Sequence, residues 1–238
     1  MPIKCKKLSQ MKIAILGAME EEITPLLAKL KDYGQIQYAN NTYYQAEYHG
    51  HTLIIAYSKI GKVFSALTAS AMIQHFGAEV VLFSGVAGGV GEDIKIGDLV
   101  IATDTVQHDI DITAFGKAYG EIPGSTVSIS TDHQLRDKAK AVASILSLDL
   151  KEGVIATGDQ FIHNKAKKDT IQSRFKASAI EMEGGSVNLV CQQMNTPCLI
   201  LRAISDTADG NATEDFPAFV EMAAKRSAEF ILSIIKSL

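Results

Sequence analysis

Residues 176–186 read Lys-Ala-Ser-Ala-Ile-Glu-Met-Glu-Gly-Gly-Ser. A short strand, Lys176–Ile180, gives way to an amphipathic helix, and two carboxylates, Glu181 and Glu183, stand at the junction. Strand followed by helix is the repeating unit of an α/β chain, and such sheets bind their ligands at the carboxyl ends of their strands. Residues i and i+2 of an extended chain face one side. A strand running on through Glu183 therefore aims both acids one way and Met182 the other. Carboxylates buried at a strand end need partners. The stretch suggests a polar small molecule held by acids over an apolar floor, with the acids as a catalytic pair. The competing reading is two solvated acids at a helix N-terminus, where negative charge is favourable.

The same alternation extends in both directions. Lys12–Gly17 reads as a strand and Met19–Lys31 as a helix. Thr42–Tyr48 and Thr52–Tyr57 form a hairpin around His49-Gly50-His51. Gly61–Phe76 carries Val63, Leu67, Ala71 and Phe76 near helical spacing, and Glu79–Ser84 is apolar enough for a strand buried on both faces. Strands at Asp98–Val106, Lys151–Ala156 and Pro197–Ala203 alternate with helices at Thr131–Leu146, Asn164–Phe175 and Asp215–Leu238. His108–Gly124 is a long loop, a length usually functional or interfacial. The expected class is α/β with a mixed, mostly parallel sheet. Residues 11–238 read as a single domain behind a flexible extension, residues 1–10.

Composition excludes several functions. A net charge of −4 over 238 residues argues against a nucleic-acid footprint. No apolar run is long enough to span a bilayer. Lys4, Lys6 and Lys7 are not followed by the apolar core of a signal peptide. Cys5, Cys191 and Cys198 are odd in number and form no CxxC, which points to a reducing, cytoplasmic setting. The six histidines do not assemble a metal set, so no metal is expected.

Three further stretches carry candidate chemistry. Val81–Gly91 is a buried strand entering a glycine-rich turn. Its glycines do not fall as G-x-G-x-x-G, so close backbone approach to a small ligand is preferred to a dinucleotide site. Gly17–Glu22 (Gly-Ala-Met-Glu-Glu-Glu) is a strand end and helix start with three acids. Helix stabilisation accounts for two of them, and one is expected to point into a cleft. Leu199–Asp206 is an apolar strand that ends in Arg202, Ser205 and Asp206, groups costly to desolvate unless they serve each other or a ligand.

Together these segments resemble the 5′-methylthioadenosine/S-adenosylhomocysteine nucleosidases of the purine nucleoside phosphorylase superfamily. The likeness rests on residues 17–22, Ser-Lys-Ile-Gly-Lys-Val (58–63), Ser-Gly-Val-Ala-Gly-Gly (84–89), Asp-Ile-Thr-Ala-Phe-Gly (111–116), Thr-Gly-Asp-Gln-Phe-Ile (157–162), Ile-Glu-Met-Glu (180–183) and Arg-Ala-Ile-Ser-Asp (202–206). It implies a three-layer α/β/α fold, a homodimer, and neither metal nor organic cofactor.

The resemblance also implies roles. Asp206, beside Ser205, protonates adenine N7, and Glu22 activates water with Arg202 as its electrostatic partner. Glu183 holds the ribose diol and Met182 lies under the sugar, while Glu181 is a substrate-side or structural acid. Phe161 stacks on the base and the Ile162 backbone reads its edge. Ala18, Val86, Ala87 and Gly88 form the backbone wall. Met19, Ile60 and Phe216 enclose the 5′-alkylthio group, and Phe115 reaches in from the partner subunit. Many relatives carry Ser where Val86 stands, and some also cleave 6-amino-6-deoxyfutalosine, a menaquinone precursor. The rival functions are a phosphorolytic nucleoside phosphorylase, which needs arginines and free amides for phosphate, and a non-catalytic nucleoside-binding protein.

Overall fold

The computed structural model describes residues 10–91, 93–207 and 212–238, with the side chains of 212–215 left aside. The expected N-terminal extension, apart from Gln10, lies outside them. In chain order the elements are β1 (Lys12–Gly17), α1 (Glu20–Leu27), β2 (Gly34–Tyr38), β3 (Asn41–Tyr48), β4 (His51–Tyr57), α2 (Lys62–Gln74), β5 (Val80–Gly89) and β6 (Leu99–Gln107). There follow β7 (Ser128–Ser130), α3 (His133–Ile145), β8 (Leu150–Thr157), α4 (Lys165–Phe175), β9 (Ala177–Glu181), α5 (Gly184–Gln193), β10 (Cys198–Asp206) and α6 (Ala212–Ile235).

Period-two alternation sorts the core into two sides of one mixed sheet. Ile13, Ile15, Leu199 and Leu201 face α1, α3 and α6. Their neighbours Ala14, Leu16, Cys198 and Ile200 face α2 and α5. A third cluster joins Val106, Ala156 and Ile180 to Ile171 of α4. Helices on both faces of one sheet make the three layers that the family resemblance implies. Cys191 and Cys198 are free thiols buried within them.

Parallel ladders run through β4–β1–β5–β10 and through β6–β8–β9. Antiparallel ladders join β10 to β6 and β9 to β5, so β5, β10, β6, β8 and β9 close on one another. This closure brings the ends of β5, β9 and β10 together beside β1.

Several boundaries differ from expectation. β5 does not stop at Ser84 but continues through the glycines to Gly89, because β10 and β9 pair with it there. β10 likewise extends to Asp206 and is buried at every position. β9 ends at Glu181, and Glu183 already stands at the N-terminus of α5. The polar edge strand β2 and the three-residue β7 were not anticipated. The loop after β6 contains one 3-10 turn, Thr113–Phe115. On α2, the outer part of the apolar stripe is not core: Val63 is 77% and Leu67 51% exposed.

Candidate active site

A cavity of about 450 Å³ opens where β1, β5, β9 and β10 end. All the expected site residues line it except Ile162, Arg202 and Phe115, and Ile180 joins them. The Ile162 side chain turns into the third core cluster, and Phe115 is 84% exposed on its turn. Phe161 and Phe216 meet edge to face at the cavity, their centroids 5.7 Å apart.

Of the three acids in the first turn of α1, Glu20 and Glu21 face solvent, whereas Glu22 is buried. Its Oε2 accepts hydrogen bonds from the Ala18 N–H (2.5 Å) and the Met19 N–H (3.0 Å). Its Oε1 accepts one from the Val86 N–H at 2.9 Å. Burial pushes its carboxyl above the ordinary range, while the Arg202 charge and the three backbone donors pull it partly back. A carboxylate so tuned suits a general base.

Gly85 and Gly88 explain the glycines of β5. A Cβ on Gly85 would come within 2.7 Å of Glu22 Oε1, and one on Gly88 within 2.8 Å of Asp206 Oδ2. Two carboxylates rest directly against this strand, and side chains there would displace them.

Glu181 and Glu183 are both buried, which excludes the reading of them as solvated acids. β9 ends at Glu181 and α5 is capped at Glu183, so the two acids do not share one strand face, although both line the cavity. Glu181 Oε2 accepts from Arg202 Nη2 at 2.5 Å, from Arg202 Nε at 3.2 Å and from the Gly184 N–H at 2.7 Å, and Thr157 Oγ1 donates to its Oε1. Arg202 therefore pairs with Glu181, not with Glu22, which it influences only through space. Its guanidinium also stacks over Phe83, 4.0 Å from the ring centroid. Glu183 Oε1 accepts from the Gly61 N–H at 2.8 Å. Burial first, and the Glu181 charge second, push the Glu183 carboxyl up to about 8. Met182 lines the cavity between the two acids, a consequence of the same break in strand geometry.

Asp206 holds a partner that sequence reasoning missed. Lys168 of α4, 1% exposed, donates from Nζ to Asp206 Oδ2 at 2.9 Å and to the Thr207 carbonyl at 2.6 Å. Ser205 Oγ donates to Asp206 Oδ1 at 3.1 Å. The available signal was the i, i+3 spacing of Lys168 and Ile171, the two buried residues of an otherwise charged helix.

The cations near the Ser58 turn are engaged elsewhere. Lys62 Nζ pairs with Asp109 at 2.7 Å, and Lys59 lies over the Phe64 ring. The backbone donors at Gly61 and Val86 serve Glu183 and Glu22.

The fold agrees with comparison to known proteins. The chain belongs to the Phosphorylase superfamily, which it matches over residues 12–236. Within that superfamily its relatives include nucleosidases. It is 55% identical to the aminodeoxyfutalosine nucleosidase of Campylobacter jejuni, over 96% of this chain and 100% of the relative. It is 36% identical to the 5′-methylthioadenosine/S-adenosylhomocysteine nucleosidase of Anoxybacillus flavithermus, over 96% of this chain and 99% of that one. The solved 5′-methylthioadenosine/S-adenosylhomocysteine nucleosidase of Helicobacter pylori superimposes with a TM-score of 0.94 at 50% identity, covering 96% of this chain and 99% of that chain. That structure holds a pyrrolidinol bearing an aminopyrrolopyrimidine and a propynylthiomethyl group.

Proposed function

We propose that residues 11–238 form one nucleosidase domain that hydrolyses the N-ribosidic bond of 5′-methylthioadenosine and S-adenosylhomocysteine, releasing adenine. The observation that carries this reading is the convergence of Glu22, Glu183 and Asp206, from three separate elements, on one cavity. Such bonds break through an oxocarbenium-like state, and adenine leaves readily once its N7 is protonated. Asp206 supplies that proton, which is worth ~10²–10⁴ in rate. Glu22, raised by burial and held by three N–H groups, takes the proton of the attacking water. Glu183 keeps Oε2 for the ribose hydroxyls, since Gly61 occupies Oε1. Met182 lies under the sugar, Phe161 stacks on the base with the Ile162 backbone at its edge, and Met19, Ile60 and Phe216 enclose the 5′ substituent.

Water is the nucleophile. A phosphate dianion would meet the Glu22 carboxylate and find the nearby amides and Lys62 already engaged. The identity shared with the Campylobacter jejuni relative supports 6-amino-6-deoxyfutalosine as a further substrate. Ile60, Val63, Phe64 and Leu67 present an exposed apolar face continuous with the cavity at Ile60. A second copy covers that face, and its Phe115 closes the site. Among the described residues no helix is long and apolar enough to cross a membrane, and the free buried thiols suit the cytoplasm.

The test incubates purified protein with methylthioadenosine, and separately with aminodeoxyfutalosine, with and without phosphate. Adenine and the free sugar are expected in every tube containing a substrate. A strict phosphate requirement with a sugar phosphate product would overturn hydrolysis.

A further inference from the structure

Resting on the reading of Asp206 as the acid, we infer that Lys168 is a positioning residue that makes the two carboxylate oxygens of Asp206 inequivalent. It ties Oδ2 to α4 and leaves Oδ1 to meet the leaving base.

The geometry supports this assignment at each contact. Lys168 Nζ bridges Asp206 Oδ2 and the Thr207 carbonyl, so one buried ammonium clamps both a side chain and the backbone that follows it. Oδ2 is also the oxygen pressed against β5, since a Cβ on Gly88 would reach it at 2.8 Å. Among the described residues, Oδ1 has one weaker partner, the Ser205 hydroxyl at 3.1 Å, and that hydroxyl has an alternative acceptor in the Ala87 carbonyl at 3.4 Å. A base arriving in the cavity can displace or share a hydroxyl contact far more readily than a hydrogen bond from a buried ammonium, which Oδ2 accepts whether or not Oδ1 carries the proton to be donated. Losing that contact would leave a buried ammonium donor unpaired, a strong restraint against Oδ2 turning towards the ligand.

The other charged groups on the elements around Asp206 do not substitute for Lys168. Glu22 from α1, and Glu181 and Glu183 from the β9–α5 junction, are acids. Arg202, on the same strand as Asp206, is committed to Glu181. Among the described residues, Lys168 is the cation in hydrogen-bond contact with Asp206.

Two experiments test the assignment. The first is a crystal structure of the wild-type protein with adenine. The expected result keeps Lys168 Nζ on Oδ2 while Oδ1 lies within hydrogen-bond distance of N7. Oδ2 on the base with Lys168 withdrawn overturns the proposal. Adenine bound away from Asp206 removes the underlying reading, and the proposal with it. The second is the steady-state kinetics of Lys168→Met with methylthioadenosine. With the cation gone, kcat should fall roughly 10- to 100-fold as orientation is lost, while KM changes little. A merely structural lysine would lower stability and leave kcat where it is, and an unchanged kcat in folded Lys168→Met overturns the proposal. Asp206→Asn is the control for the reading beneath it: full turnover there means that another group protonates the base.

Discussion

Gly85→Ala perturbs the site by a single methyl group whose position is known. Gly85 has an ordinary strand conformation, so alanine brings no backbone strain. It stands opposite Arg202 in the β5–β10 ladder. The new Cβ would lie 2.7 Å from Glu22 Oε1 and 3.2 Å from Arg202 Nη1, where ordinary contact begins at 3.4 Å. β5 is held between β1 and β10 and cannot retreat, so Glu22 must move by about 0.7 Å, enough to break its bond to the Val86 N–H. Losing a buried hydrogen bond of this kind costs about 1.5–3 kcal/mol, or roughly 3–12 °C in Tm for a chain of this size. If Glu22 is the base that activates water, displacing it by less than an ångström should lower kcat by roughly 10- to 100-fold. Thermal unfolding and chromatographic measurement of adenine release supply both numbers. Gly34→Ala, on the edge strand where the new methyl would meet nothing within 4 Å, is the control. Wild-type kcat and Tm in Gly85→Ala would refute the account of why β5 is glycine-rich and the placing of Glu22 at the chemistry.

Glu183 titrates near 8 in the folded protein against an ordinary 4.5, so its proton stabilises the fold fully below about pH 4.5, and that stability is lost as pH rises through 8. Between pH 5 and 9 the wild-type Tm should therefore fall more steeply than that of Glu183→Gln, the difference reaching on the order of 4 kcal/mol, and parallel curves would contradict the burial argument. If Phe115 completes the partner's cavity, Phe115→Ala and Asp206→Asn should each be impaired alone and regain turnover when unfolded and refolded together, since mixed dimers contain one intact site. No gain over the separate variants would place Phe115 outside the site.

The sequence was most informative where burial and chemistry conflict within a single element. An acid at the end of an apolar strand, as at Asp206, or one acid too many in a first helical turn, as at Glu22, announces itself because stability alone does not explain it. Those residues do line the cavity. Partners chosen across the fold gave no such sign. The register that sets Gly85 opposite Arg202, and the closure of β9 onto β5, depend on pairings between segments far apart in sequence. The glycines of β5 looked like a turn because local propensity disfavours them in strands. Strand geometry is imposed by the ladders on either side, and the missing side chains make room for Glu22 and Asp206.

Lys168 is the sharpest case. In a helix reading Lys-Ala-Lys-Lys-Asp, four charges in five residues describe a solvated face, and for Lys165 and Asp169, which pair in solvent, that description holds. Lys168 is one position further round, on the side of Ile171, and is drawn inward by a carboxylate 38 residues away. Burying an ammonium is costly unless the charge and every donor find partners, so the lysine and the aspartate account for each other only as a pair. A single sequence marks the aspartate but shows the lysine as an ordinary charged residue. The fold turns them into a site by bringing α4 against the end of β10.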